Sequence, residues 1–351
     1  MKLKTSIANF ALGAALVALG VCAFVESPSA APAPAPLLLN AAGATFPYPI
    51  YSKWFTEYNR LHPDIQINYN SIGSGGGIRQ LQAGTVDFGA SDAPMTDQQL
   101  SQNKVPVLHF PTVLGAVVPT YNIEGVSQEL NFTGQALADI FMGKITKWND
   151  PALASVNKGV NLPNADIVVV HRSDGSGTSF VWTDYLSKVS KEWETKVGRA
   201  TSVNWPVGLG GKGNEGVSGL VKQTPGAIGY VELVYAVQNK LPYGPVKNSS
   251  GVFVKANLAG VTAAAASEAK KIPADFRVSI TDPSGKAAYP ICSFTYLLIP
   301  SKIDDAGKKN AVKDFLHWML TEGQNDAEGL TYAKLPKDVV AREMKAIAQI
   351  N

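Results

Sequence analysis

The chain has 351 residues, with 31 basic against 28 acidic side chains and two cysteines. So even a charge balance excludes the basic stripe of a nucleic-acid binder, and the length exceeds what one core usually organises, so two domains are expected. The N-terminus carries Lys2 and Lys4, an apolar run from about Ile7 to Val25, then small residues and proline, which is the pattern of a secretory signal peptide over residues 1–30. An uncleaved anchor is the alternative; Asn9 and the glycines and alanines of the run weaken it. Val21 precedes Cys22 where a lipoprotein signal has a small residue, so no lipid anchor is expected. Cleavage near Ala30 or Ala31 leaves an Ala/Pro linker at 31–37 and 29 basic against 27 acidic side chains. A soluble exported protein without an anchor is retained only by an outer membrane, which points to the periplasm. Cys292 is then alone, so no internal disulfide can form and a buried structural thiol is expected.

Beyond the linker, "TFPYPIYSKWFTEYNRLHP" has helical spacing at Ile50, Trp54, Phe55 and Tyr58, and Pro63 ends it. "DIQINYNSIG" alternates as a strand does, "SGGGIRQLQAG" is a glycine turn opening a short helix, and "VDFGASDAP" is a strand stopped by Pro94. This alternation with short turns predicts a parallel α/β sheet. It continues through a long apolar strand, "FPTVLGAVVPTYNI", and a helix capped near Thr133. "ADIVVVHRSDGSGTSFVWTDYL", residues 165–186, runs from a strand through a Gly/Ser turn into a helix, and "GLGGKGNEGVSGLVKQTPGAIGYVELVYA" reads as loop, helix, strand. Residues 245–288 have weak periodicity and many turn residues. The chain closes with the strand "YPICSFTYLLIP" and helices at Asp304–Thr321 and Lys337–Ile350.

Three helix-opening turns repeat one chemistry: "GATF" with Thr45, "GSGGG" with Ser74 and "DGSGTS" with Ser176 and Thr178. Each offers backbone N–H groups, a hydroxyl and a helix N-terminus, which together favour an anion. Singly each is an ordinary N-cap; three in one chain converge, because strands of an open sheet direct such turns to a common crevice. None has the G-x-x-x-x-G-K-[ST] lysine, so the ligand is smaller than a nucleotide. Arg172 ends the "IVVVH" strand with Asp174 placed to orient its guanidinium, a planar fork suited to a tetrahedral oxyanion. His171 is expected on the opposite strand face. Asp92 is the informative residue, because a carboxylate aimed into an anion site repels the anion unless the ligand has a proton to donate. Two like charges about 4 Å apart at an effective dielectric near 20 repel by roughly 4 kcal/mol, about three decades in affinity. Phosphate carries such a proton at neutral pH and sulfate does not. "GLGGKG", Gly208–Gly213, matches G-x-G-x-x-G but lacks the surrounding strand and acidic ribose ligand, so it reads as a tight loop before the helix near Asn214.

Chemistry on the anion has little support. His62, His109, His171 and His317 are scattered without metal-ligand spacing, so no metal and no cofactor are expected. "GASDA" and the "GSG" around Ser176 both miss the nucleophile elbow G-x-S-x-G. A hydrolase using Ser176 or Ser91 is the rival from another class, and a receptor for sulfate or molybdate is the nearer one, disfavoured by Asp92.

Together "GATFPYPIYSKW", "TVDFGASDAPM", "ADIFMGKITKWND", "HRSDGSGTSFVWTDYL" and "GGKGNEGVSGLVKQTPGAIGYVE" resemble the periplasmic phosphate-binding proteins of bacterial high-affinity phosphate ABC transporters. The resemblance implies a type II periplasmic-binding-protein-like α/β fold, with two lobes joined by two crossover strands and closing over ligand. With crossings near Thr112 and Pro290, residues 38–112 and 291–351 form one lobe and 113–290 the other. It implies that Ala44, Thr45 and Phe46 lay their backbone on the phosphate, with the Thr45 hydroxyl. Ser74 adds its hydroxyl and N–H, Asp92 accepts the phosphate proton, and Arg172 supplies charge, held by Asp174. Ser176, Gly177 and Thr178 close the cage. A monomer is implied, with a membrane ABC permease and its ATPase complex as partners. His171 stands where relatives often have arginine.

Overall fold

The chain enters the fold through β1 (Leu37–Gly43) in the computed structural model, which describes residues 35–351. The signal peptide expected at 1–30 and residues 31–34 of the linker lie outside the described residues. The sequence reading starts the fold with a helix; β1 was hidden because "LLLNAAG" merges with the apolar, alanine-rich stretch before it. Its partners follow: β2 (Ile65–Ser71), β3 (Phe88–Ser91), β4 (Val107–Asn122), β5 (Val168–Arg172), β6 (Leu209–Gly211) and β7 (Ala227–Glu232). A separate two-stranded ribbon, β8 (Val246–Lys247) with β9 (Phe253–Val254), precedes the last strand, β10 (Cys292–Pro300). The main sheet has eight strands in the order β2-β1-β3-β10-β4-β7-β5-β6.

The expectation of a parallel sheet holds for β1 with β2 and β3, and for β5 with β6 and β7. It fails at the centre, where β10 runs antiparallel to β3 and β4, and β4 antiparallel to β7. Periodicity cannot reveal this, because strand direction is set by which distant segments pair. The long strand β4 divides its pairing: Val107–Ala116 face β10, and Val117–Asn122 face β7. The sheet therefore has a first half, β2-β1-β3-β10 with the start of β4, and a second half, the end of β4 with β7, β5 and β6.

Helices pack on these halves; those opening at Tyr48, Ser74, Gly134, Gly177, Gly213, Ala306 and Lys337 lie where the sequence predicts, the others are not predicted by it, and Leu233–Gln238 is helical where it reads as strand. They are α1 (Tyr48–Leu61), α2 (Ser74–Ala83), α3 (Asp97–Ser101), α4 (Gly134–Phe141), α5 (Pro151–Ala154), α6 (Gly177–Val189) and α7 (Lys191–Lys196). Then come α8 (Gly213–Gln223), α9 (Leu233–Gln238), α10 (Leu258–Glu268), α11 (Ala306–Leu320) and α12 (Lys337–Ala346). α1 buries Ile50, Tyr51, Trp54, Phe55 and Tyr58, the stripe its spacing marks. In the second half Trp182 stacks on Tyr230 with centroids 5.1 Å apart, and Phe141 and Trp205 complete the cluster. That cluster sits behind the end of β5: the Tyr230 hydroxyl accepts from the Arg172 N–H at 3.1 Å and pairs with the Ser179 hydroxyl at 2.6 Å. Cys292 is buried and free, and burial pushes its thiol well above the ordinary range.

The weakly patterned stretch 245–288 folds by side-chain anchors. The Ser279 and Thr281 hydroxyls donate to the buried Asp184, each at 2.5 Å, and Arg277 donates to Asp97 and to the Met95 carbonyl. No helix of the described residues is long and apolar enough to cross a membrane.

Candidate anion-binding site

Five strand-to-helix or strand-to-loop turns converge where the two half-sheets meet: those after β1, β2, β3, β5 and β6. All of these strands run parallel within their own half, so their carboxyl ends open to one place.

After β1, three consecutive carbonyls are pinned by three tyrosines. The hydroxyls of Tyr69, Tyr235 and Tyr332 donate to the carbonyls of Ala44, Thr45 and Phe46 at 2.7, 2.5 and 2.6 Å. With the carbonyls held back, the N–H groups of Thr45 and Phe46 make no hydrogen bond to the described residues. Ala44 departs from the expectation of a direct contact. Its N–H donates to the Ala90 carbonyl at 3.0 Å, so both its backbone polar groups are already engaged.

Ser74 opens α2, fully buried. Its Oγ accepts from the Asp92 N–H at 3.2 Å and from the Gly177 N–H at 3.0 Å, so one hydroxyl ties the turn after β3 to the turn before α6. Gly177 thus acts on Ser74, with its own N–H engaged. The neighbouring turns also meet directly, Gly75 N–H donating to the Gly175 carbonyl at 2.8 Å.

Asp92 is 1% exposed. Its Oδ1 accepts from the Thr295 hydroxyl at 2.8 Å, while Oδ2 is buried with no hydrogen-bond partner among the described residues. Burial pushes this carboxyl up to about 7; the Thr295 hydroxyl, the Arg172 charge and the nearby Ser74 hydroxyl pull the other way less strongly.

Arg172 is 3% exposed at the end of β5. Nε and Nη2 donate to the two Asp174 oxygens at 2.8 and 2.5 Å, and Nη1 donates to Thr178 Oγ1 at 3.3 Å. Three of five N–H donors are spent on holding the fork, and two remain. Asp174 also accepts from the Gly213 N–H at 3.0 Å. Burial raises its pKa, but the Arg172 hydrogen bond and charge and the Gly213 N–H outweigh burial and hold it below the usual range. Asp174 is thereby a fixed counter-charge to the guanidinium.

Ser176 is the N-cap of α6. Its Oγ accepts from the Ser179 N–H at 3.0 Å and its own N–H donates to the Thr201 carbonyl, which leaves its hydroxyl hydrogen and one lone pair. Thr178 Oγ1, in the first turn, is within reach of Arg172 and of Asn214. His171 faces away, as strand alternation requires, with its ring stacked 4.8 Å from Trp205. Ser91 Oγ is occupied by its own turn, donating to the Ala93 carbonyl at 2.5 Å, which leaves no activated nucleophile there.

Sequence reasoning missed three kinds of participant. Asn214, in the first turn of α8, directly follows the glycine-rich stretch read as a tight loop. It opens a helix as the recognised turns do, and that shared pattern could have marked it. Thr295 lies inside β10 and the three tyrosines are far apart in the chain; no local signal points to them. Among the described residues no group of three His, Cys, Asp or Glu side chains could hold a metal ion.

A family model described as the PBP superfamily domain matches residues 29–322. Phosphate-binding protein PstS of Xylella fastidiosa (strain Temecula1) is 46% identical over 303 residues, covering 86% of this chain and 82% of its own length. The PstS of Pasteurella multocida is 45% identical over 305 residues, covering 87% and 88%, and that of Methanocaldococcus jannaschii 40% over 351 residues, covering 93% and 89%. The chain belongs to the PstS family. Both the family and the α/β periplasmic-binding-protein fold implied by the sequence motifs are thereby borne out. Solved structures agree on the fold. A high-affinity periplasmic phosphate-binding protein bound with phosphate superposes with TM-score 0.69 at 21% identity, covering 88% of this chain and 93% of its own. A phosphate-binding protein from Stenotrophomonas maltophilia superposes with TM-score 0.66 at 19% identity, over the same shares.

Proposed function

We propose that this PstS-family protein is a periplasmic receptor that binds inorganic phosphate and delivers it to a membrane ABC permease and its ATPase complex. It binds without transforming its ligand. The observation that carries the reading is the Asp92 carboxylate: one buried acceptor oxygen without a partner among the described residues, set among hydroxyls, backbone N–H groups and a buried arginine. An anion that offers a proton satisfies that oxygen, and one that does not leaves it facing like charge. The ligand contacts come from Thr45, Phe46, Ser74, Asp92, Arg172, Ser176 and Thr178. Asp174 orients Arg172, and Gly177 orients Ser74. Ala44 contributes shape and a pinned carbonyl. Export uses a signal peptide at 1–30, cleaved to leave a soluble monomer with no lipid anchor.

Calorimetric titration of the mature, phosphate-stripped protein with phosphate and with sulfate tests the reading. Tight phosphate binding with sulfate weaker by orders of magnitude is expected; equal binding, or none, overturns it. The lobes we assign are residues 38–112 with 291–351, and residues 113–290. β4 passes from β10 to β7 between Ala116 and Val117, which supports a hinge a few residues beyond Thr112. Phosphate should then compact the molecule, since ligand contacts come from both lobes. Identical small-angle scattering curves with and without phosphate would count against hinge closure.

A further inference from the structure

Asn214 touches the turns of both half-sheets and is fully buried. Its Oδ1 accepts from the Glu232 N–H at 2.9 Å. A backbone N–H can only donate, so the amide cannot be turned over, and its NH₂ must face the other way. There Nδ2 lies 2.7 Å from Thr45 Oγ1 and 3.1 Å from Thr178 Oγ1, and donates to both. Thr45 Oγ1 also accepts from the Asn214 N–H at 3.2 Å, and Thr178 Oγ1 from Arg172 Nη1 at 3.3 Å. A hydroxyl oxygen has two lone pairs and one hydrogen. In both threonines the lone pairs are taken, and only the hydrogen is left to give.

We propose, resting on the phosphate-receptor reading, that Asn214 is a positioning residue that locks the Thr45 and Thr178 hydroxyls as donors toward the ligand. Ser74 is locked the same way by the Asp92 and Gly177 N–H groups. Three hydroxyls from three turns then present hydrogens, and Asp92 Oδ2 is the acceptor. Such a cage suits an anion with one proton. A second proton on the ligand finds no lone pair to receive it at Thr45, Thr178 or Ser74.

The charged and titratable groups packed around Asn214 have other partners or roles. Arg172 and Asp174 hold each other, Glu215 accepts from the Tyr235 hydroxyl at 3.1 Å, and Asp92 faces Thr295; Glu232 Oε2 accepts from the Val234 N–H at 2.7 Å, and its Oε1, without a partner among the described residues, belongs to a carboxyl that burial pushes well above the usual range. The polarity of the two threonines is therefore set by the neutral amide together with Arg172.

The test is phosphate titration of wild type and Asn214→Ala on both sides of the second ionisation of phosphate. In the variant each threonine regains a lone pair. Above neutrality, affinity is expected to fall by about ten- to a hundredfold, in the range of one or two lost hydrogen bonds. Below neutrality the deficit is expected to shrink by about tenfold, because the freed lone pairs accept a second ligand proton. The same loss at both pH values, or no loss, overturns the role, since a merely structural residue weakens binding uniformly. Should the variant not fold, wild type alone still decides. Titrated below neutrality in two buffers of different ionisation enthalpy, it is expected to release close to two protons per phosphate, one from the Asp92 carboxyl, which burial pushes up to about 7, and one from the ligand, as the singly protonated anion is selected. Release of about one proton or fewer overturns the proposal. Failure of wild type to bind phosphate at all would instead sink the receptor reading, so the two failures are distinct.

Discussion

The turns at 172–178 and 211–214 leave neighbouring parallel strands, both contain glycines, and both open a helix into the same site. They do different things there. The first carries charge, an arginine braced by an aspartate, and it is the turn that the sequence marks as an anion site. The second carries no charge at its point of contact, only the Asn214 amide, and it reads as a tight loop. Yet that amide is hydrogen-bonded to threonines from both half-sheets. The contrast teaches that residue types within a turn reveal where charge is offered. Which way a hydroxyl points is decided by partners that only the fold brings near.

The largest expected effect breaks the charged turn itself. Arg172→Ala should weaken phosphate binding by roughly 2 to 4 kcal/mol, since a buried charge-assisted contact is lost and Asp174 is left unpaired. Wild-type affinity by calorimetry would remove Arg172 from the site. Gly177→Ala tests the same turn without touching its charge. A Cβ there would stand 2.4 Å from Ser74 Oγ and 2.5 Å from Asp92 Oδ2, both fixed and buried. Overpacking of this kind should weaken phosphate binding by about 1 to 3 kcal/mol, and an unaltered titration would mean the contact yields easily.

Asp92→Asn sharpens the comparison by converting the site's charged acceptor into an amide. The phosphate-to-sulfate preference is expected to fall by at least tenfold, about 1.4 kcal/mol, because the amide can turn its NH₂ toward an unprotonated oxygen. A full wild-type preference in the variant would show that Asp92 does not select. The wild type has a matching pH dependence. Since burial pushes Asp92 up to about 7, the carboxyl carries its own proton below that value and can donate, so sulfate should bind better below it than above. Flat sulfate affinity across neutrality contradicts this. The smallest effect lies in the uncharged turn. Gly213 has φ +70°, and an added Cβ would meet Glu215 Oε2 at 2.4 Å, the movable end of a side chain. Gly213→Ala should cost about 1 to 2 kcal/mol of folding stability, the penalty of left-handed backbone for an L-residue. Phosphate affinity should change little; urea unfolding and titration together check both.

Much of this was legible because it was local. The α1 stripe, the Thr133 cap, the long strand β4 and the turns around Ser74 and Arg172 all follow from spacing and turn chemistry within a few residues. The Arg172 turn also places Asp174 and Thr178, and the turns after β1 and β3 place Thr45 and Asp92. What stayed hidden is non-local. Thr295 reaches Asp92 from 203 residues away, and Tyr235 and Tyr332 reach the β1 turn from 190 and 286 residues away. The antiparallel centre of the sheet is hidden for the same reason. Residues 245–288 lack periodicity because they are held by polar anchors such as Thr281 on Asp184. The contact expected of Ala44 came only from the resemblance, and its N–H is taken by Ala90, on a strand that the sequence did not pair with it.

The placement of β10 also bears on the order in which the protein can be assembled. It lies between β3 and β4, and these two strands have no direct ladder with each other. A nascent or partly translocated chain that ends before Cys292 therefore has an open seam in its first half-sheet. β3 then keeps an unpaired edge, and the opening stretch of β4 has nothing to pair with, however long synthesis takes. The second half-sheet carries no such dependence, since β4, β5, β6 and β7 are all complete by Glu232. The half that begins the chain is thus the half that closes last, and its loop-closure cost falls on the final part of the polypeptide to appear.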